Sequence, residues 1–254
     1  MLNKILLIIW YVLRPKYYEH FFSLIIRKFL VNYDTVENKK KAYDWAATNA
    51  VDYVEALKSL GLKGKVDGLD NDTITDARKL VAKSSVKMGG ASHIHLLYDC
   101  VRLSKAKKVI ETGVAYGWSS LAILKALIKN KNGKLFSVDM PYPGKKNEND
   151  VGIVVPQNLR KNWILIRKPD RPGIIKAISQ AGGQIDLCHY DSDKSWWGRH
   201  YAYAILWKSL KSKGLFISDD IQDNLYFYEF TKKNLLKFAV VEYEGKFIGL
   251  IRKT

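Results

Sequence analysis

Two apolar runs open the chain, residues 5–13 and 21–30, separated by Arg14-Pro15-Lys16 and punctuated by Arg27 and Lys28. Each predicts a helix, and each falls short of the roughly 20 apolar residues that span a bilayer. Basic and aromatic residues, not a small-residue cleavage site, follow Leu13, so a secretory signal is not indicated. Two readings stay open for residues 1–31. One is an interfacial helix lying on acidic lipid, with Trp10, Tyr11, Tyr17 and Tyr18 at headgroup depth. The other is helices packed on the main domain or on a partner chain, a second copy included. From residue 36 to residue 60, Tyr43, Ala46, Ala47, Ala50, Val54 and Leu57 recur at helical spacing, and Gly61 closes the run. One cover helix is expected there, and a short one over residues 75–84.

After Gly90 the pattern changes to alternating strand-like and helical segments. Strands are expected at residues 107–112, 134–139, 163–168, 185–190, 214–218, 238–243 and 246–252, and helices near 92–104, 118–129, 172–180, 196–209 and 225–236. Glu244-Gly245 between the last two strands is a hairpin signal, so the final strand should run antiparallel to its neighbour. This pattern predicts an α/β fold: a doubly wound, mostly parallel seven-stranded sheet with an antiparallel C-terminal hairpin. Residues 1–86 form an N-terminal helical extension and residues 87–254 the main domain.

Composition narrows the classes. With 47% hydrophobic and 26% charged residues, the 254-residue chain is neither disordered nor a disulfide scaffold. Cys100 and Cys188 both lie in apolar stretches and read as buried thiols in a reducing, cytoplasmic compartment, with the inner membrane surface as the site of any peripheral contact. A net charge of +17 favours anionic ligands, acidic lipid or nucleic acid. The basic residues form no aromatic-interleaved stripe, so a specific nucleic-acid surface is not indicated.

The first strand runs into Glu111-Thr112-Gly113-Val114-Ala115-Tyr116-Gly117-Trp118-Ser119. Gly113 and Gly117, with Ala115 between them, allow a tight turn and close approach of a nucleotide-like ligand at the carboxyl end of a strand. The spacing is not G-x-G-x-x-G, which counts against a nicotinamide or flavin dinucleotide and so against an oxidoreductase. Asp139 ends the second strand, where a carboxylate can accept from both hydroxyls of a ribose.

Together, Glu111, Gly113, Ala115, Gly117 and Asp139 resemble the first two motifs of the class I S-adenosylmethionine-dependent methyltransferases. The resemblance implies that Glu111, Ser119 and the turn hold the cofactor together with Asp139, the turn at the methionine part and Asp139 at the ribose. Ala115 departs from the commonest three-glycine form.

Farther along, Asp191 follows one apolar strand, and Asp219 and Asp220 follow the next, so three carboxylates should converge at one sheet edge. They repel one another unless a positive group sits between them, and oxygen ligands of this kind suit Mg²⁺. Solvated strand-end carboxylates are the alternative. These segments resemble the catechol and caffeoyl-coenzyme-A type O-methyltransferases, and also a broader bacterial methyltransferase group that usually has His where Lys194 stands. The resemblance spans residues 88–221 and implies that Asp191, Asp219 and Asp220 bind the metal. It also implies that Lys194, three residues past Asp191, helps deprotonate the acceptor hydroxyl. Asp220 replaces the family's Asn, and the loop over residues 141–156, with Lys145 and Lys146, is unusually long. An ion pair with Asp191 or Asp193 is the other role open to Lys194.

His189 reads as a packed or cofactor-side histidine, His93 and His95 as structural, and Trp196, Trp197 and Tyr201 as core or as a wall over the acceptor ring. The expected activity is O-methylation of a small-molecule hydroxyl acceptor, which the charge of the chain tilts toward an anionic one. The alternatives are a metal-independent sugar or natural-product methyltransferase, and a membrane-surface or partner-binding protein that keeps the fold as a scaffold.

Overall fold

The computed structural model describes residues 2–144 and 147–254, so Lys145 and Lys146 lie outside the described residues. The chain opens with α1 (Leu2–Val12), a 3-10 turn (Pro15–Tyr17) and α2 (Tyr18–Arg27). Pro15 begins the turn, where its missing N–H costs nothing. Trp10 stacks on Tyr17 and Tyr11 on Phe21, with ring centroids 5.1 and 4.9 Å apart. These contacts leave Tyr11 and Tyr17 each 2% exposed. The interfacial reading would set both at headgroup depth; instead their rings hold α1 and α2 together.

The single helix expected over residues 36–60 is two, α3 (Val36–Asn49) and α4 (Tyr53–Ser59). Asp52 makes the break, because its side chain accepts from the Val54 and Glu55 N–H groups and starts a new helix. Just before it, Ala50 is extended and bridges to Val240, so the chain crosses the sheet edge between the two helices. In the same way Asp70 caps α5 (Asn71–Val81) by accepting from Thr73 N–H, which starts that helix ahead of its expected position at 75. The next helix is α6 (Ile94–Ser104).

The sheet is built from β1 (Lys108–Thr112), β2 (Lys134–Val138), β3 (Trp163–Ile166), β4 (Ile185–Tyr190), β5 (Leu210–Ser218), β6 (Phe238–Tyr243) and β7 (Lys246–Arg252). The helices between them are α7 (Trp118–Lys129), α8 (Asp170–Gln180), α9 (Trp196–Ser209) and α10 (Tyr226–Lys233). The strand order is β3-β2-β1-β4-β5-β7-β6. The first five strands pair in parallel, and β7 lies antiparallel between β5 and β6. β5 begins at Leu210, four residues before the expected start, because Lys211-Ser212-Lys213, whose composition reads as a loop, belongs to the strand as an irregular stretch in which Lys213 turns to φ +63°. α10 is shorter than the helix expected over 225–236.

Alternation along the strands divides the core. Val109, Leu187 and Leu215 face the layer of α4, α5, α6 and α7; Ile110, Cys188 and Phe216 face α8, α9 and α10. Cys100 and Cys188 are wholly buried on opposite faces of the sheet and remain free thiols. The order of the parallel strands reverses between β1 and β4, and a ligand crevice belongs at the carboxyl ends of that pair.

Candidate active site

A cavity of about 430 Å³ lies at that switch point, lined by the glycine turn after β1, Asp139 after β2 and Asp191 to Lys194 after β4. Gly113 has φ +82°, and a Cβ there would overlap the Asp191 carbonyl, so the residue admits only glycine. Gly117 has φ +90° and stands at the N-cap of α7 against Gly152. Ala115, at φ 48°, takes a left-handed conformation that a Cβ disfavours. Ala115 is held there by its carbonyl, which accepts from Gly152 N–H, while Tyr116 O accepts from Val154 N–H. Val151, Val154 and Val155 are buried as a result. That half of the long loop therefore covers the turn; among its described residues, Pro141 to Pro143 face the cavity.

Glu111 departs from the role the resemblance implied. Its side chain is fully buried and is absent from the cavity wall. One carboxylate oxygen accepts from Ser120 Oγ at 2.5 Å and Ser137 Oγ at 2.6 Å, and the other lies 3.9 Å from His189 Nδ1. Glu111 thus supports the glycine turn from beneath. Ser119 does reach the cavity wall. Asp139 lines it as well, accepting from Val114 N–H at 3.0 Å and pairing with Arg167. Burial raises the Asp139 pKa against the opposing pull of Arg167. A carboxylate has about four acceptor positions, so two remain for a ribose.

The three carboxylates after β4 and β5 do converge, but the cations beside them come from the chain. Lys194 Nζ lies 3.1 Å from Asp191 and also pairs with Asp220. Lys246 reaches Asp220 at 3.2 Å, and His189 Nε2 lies 3.6 Å from Asp219. The Asn224 side chain fixes the Lys194 carbonyl by donating to it at 2.7 Å. Among the described residues, no group of three or more His, Cys, Asp and Glu side chains is assembled to hold a metal ion. The donor set expected for Mg²⁺ is closed by Lys194, and no step is assigned to a metal.

Burial, reinforced by repulsion from Asp219, raises the Asp191 pKa in spite of Lys194. Burial also pushes on Asp219, but His189 beside it holds its pKa below the usual carboxylate range. A second cavity, of about 300 Å³, shares Gly89, Gly90, Ser92, Asp191 and Lys194 with the first and extends to Tyr243 and Lys246. Asp191 and Lys194 therefore stand on the partition between two adjoining spaces.

Trp196, Trp197 and Tyr201 line neither cavity. Trp196 stacks on Tyr33 at 4.3 Å, Trp197 donates to the Val31 carbonyl at 3.0 Å, and the Arg171 guanidinium sits 4.4 Å over Tyr201. The two tryptophans clamp the segment after α2 instead of walling an acceptor site. His95 and His93 are structural, accepting from Leu69 and Leu96 N–H.

Four residues that the motif reading passed over line the first cavity: Tyr11, His20 and Arg27 from the N-terminal helices, and Asp170 at the start of α8. Burial raises Asp170 to a pKa of about 6, and it accepts from Ser192 Oγ at 2.5 Å. Asp170 carried a signal of position, since it follows β3 as Asp139 follows β2. Arg27 carried none, because its partner Asp193, at 2.5 Å, lies 166 residues away, and His20 belongs to no motif.

Sequence comparison with curated proteins returns no match. Residues 110–221 match the family described as a methyltransferase domain. Among solved structures, the chain is similar to an O-methyltransferase from Bacillus cereus in complex with SAH, at 14% identity and TM-score 0.56, covering 82% of this chain and 100% of that one. It is also similar to the O-methyltransferase TomG from Streptomyces achromogenes in complex with SAM, at 15% identity and TM-score 0.57, covering 74% and 92%. A third is the SAH-bound methyltransferase PaMTH1 from Podospora anserina, at 14% identity and TM-score 0.53, covering 89% and 98%. These likenesses agree on the fold, and the family match falls on the segment that builds the glycine turn and both strand-end acidic sites. Residues 110–221 thus match a methyltransferase domain, and the chain shares the fold of these solved methyltransferases.

Proposed function

We propose that the chain transfers a methyl group from S-adenosylmethionine to the hydroxyl of a small-molecule acceptor. The observation that carries this reading is the partition: the cavity beside the glycine turn and its neighbour meet at Asp191 and Lys194. The solved relatives bound to SAM or SAH support the choice of cofactor. The residues present fit it. Gly113 leaves backbone open to the ligand, Ser119 adds a hydroxyl at the wall, and Asp139 keeps two acceptor positions for the ribose. When bound, the cofactor supplies an electrophilic methyl group.

The chain's own residues do the rest. Asp191, with its pKa raised by burial and by Asp219, is the better proton acceptor at the partition, and it takes the hydroxyl proton. Lys194, engaged with two carboxylates, serves as the fixed positive charge that stabilises the developing oxyanion rather than as the base. Around the second cavity Asp191, Asp219, Asp220 and Glu244 outnumber Lys194 and Lys246. That local balance favours an uncharged hydroxyl over the anionic acceptor suggested by the charge of the whole chain. A second reading has Mg²⁺ displacing Lys194, and it is supported by the buried Asp219 Oδ1, which accepts no hydrogen bond and has His189 Nε2 only at 3.6 Å.

Calorimetry with S-adenosylhomocysteine tests the reading. Binding is expected in the wild type, weakened by about 1–3 kcal/mol in Asp139→Ala, where ribose hydroxyls lose a charged acceptor. Absence of binding, or binding of a nicotinamide dinucleotide in its place, would refute it.

A further inference from the structure

We propose that the N-terminal helices dock on an anionic lipid bilayer through their outer apolar surface while their inner surface walls the cofactor cavity. This rests on the proposed function only for the name of the cavity's ligand. α2 divides by its spacing. His20, Leu24 and Arg27, at i, i+4 and i+7, line the cavity, and Arg27 is tied down by Asp193 and by Ser195 Oγ at 3.1 Å. Phe22 and Ile26 point the other way and are 56% and 57% exposed.

α1 is apolar nearly all round. Ile5, Leu6, Leu7, Ile8 and Ile9 are each 40% to 53% exposed; Tyr11 is buried and Trp10 half-buried, against the turn and α2. Leu13 and Phe29, at 70% and 85%, extend the same apolar display. A helix that is hydrophobic on every side belongs in a core or in lipid. This one is outside the core, and at 11 residues it reaches about 16 Å, half of a bilayer's roughly 30 Å hydrocarbon thickness. No helix among the described residues is long and apolar enough to cross a membrane. The fit is to one leaflet.

Charge selects the occupant. Apart from Arg27, which Asp193 neutralises on the inner surface, residues 1–33 hold Lys4, Arg14, Lys16 and Lys28 against a single acid, Glu19. The Arg14 guanidinium lies 4.7 Å over Trp10 and the Lys16 ammonium 5.0 Å over Tyr17, so cations flank the apolar surface at the junction of the two helices. A second copy would set those cations against their own kind, whereas anionic headgroups complement them.

The test is sedimentation of the full-length protein with vesicles of equal parts phosphatidylcholine and phosphatidylglycerol, and with vesicles of phosphatidylcholine alone. Binding is expected to the first, with at least about tenfold weaker partition to the second. The triple variant Leu13→Glu, Phe22→Glu, Phe29→Glu alters only exposed positions and is expected to lose vesicle binding by a similar factor. Its affinity for S-adenosylhomocysteine should match that of the wild type, because the inner surface of α2 is unchanged. Equal binding to both vesicles, or undiminished binding by the variant, would overturn the proposal. So would a wild-type dimer in light scattering that the variant converts to monomer without any vesicle binding. A wild type that binds vesicles but not S-adenosylhomocysteine would leave this proposal standing and count against the cofactor assignment alone.

Discussion

Replacing His189 with leucine is expected to lower the stability of the fold by about 3–5 kcal/mol, the usual consequence of leaving buried charge uncompensated. The side chain is fully buried on β4, between Glu111 at 3.9 Å and Asp219 at 3.6 Å. Burial by itself would depress the imidazole pKa, but the two carboxylates outweigh it and raise the pKa to about 10. The histidine is therefore a cation at neutral pH, and without it two buried acids lose their counter-charge. The linkage has a definite sign. A pKa raised from 6.5 to about 10 on folding contributes stability that is complete below 6.5 and is lost as the pH rises toward 10. Urea denaturation should thus show the gap between wild type and His189→Leu narrowing from pH 7 to pH 10. A variant as stable as the wild type, or a gap that does not change over that range, would show that the histidine is packed neutral.

The same residue marks the limit of what local pattern reveals. Placing His189 on the opposite strand face from Cys188 and Tyr190 needed only the period of two. That Glu111 and Asp219 meet it there depends on β1, β4 and β5 being neighbours in the sheet. Strand positions were legible because apolar runs bounded by turn residues recur along the domain, and β4, β6 and β7 begin and end where the pattern places them. The break between α3 and α4 was not, since a helical period continues across Asp52 although its side chain starts a new helix. Lysines hid the start of β5 for the same reason: a polar, irregular strand end has no apolar signature.

At the site, residue types near strand ends were legible and their partners were not. Asp191, Asp219 and Asp220 could be placed at one edge from sequence order. Which cation sits among them could not, because Lys246 comes from the hairpin and His189 from inside the sheet. Arg167, which pairs with Asp139, and Arg27, which pairs with Asp193, are likewise choices made by the folded chain. The resemblance directed attention to a metal for the positive charge, while the geometry puts lysine there.

Lys194→Ala is accordingly expected to cut methyl transfer by about 10²–10³, the effect of removing one preorganised charge from a developing oxyanion. Affinity for S-adenosylhomocysteine should be nearly unchanged, since Asp139, Ser119 and the glycine turn are untouched. The pH profile tells an electrostatic role from a structural one. Lys194 pulls the Asp191 pKa down against burial and Asp219, so its removal lets that pKa rise. The acidic limb of the rate profile should then move to higher pH, with the base working only where Asp191 can still lose its proton. Lys194→Arg keeps the charge and should recover part of the rate together with the wild-type limb. Turnover of the wild type in excess EDTA is expected to match that in its absence, because the chain supplies the cation itself. Turnover abolished by EDTA and restored by Mg²⁺ would instead put a divalent ion between Asp191 and Asp219. An alanine variant with full rate and an unmoved limb would reduce Lys194 to an ion-pair partner of Asp191 and Asp220.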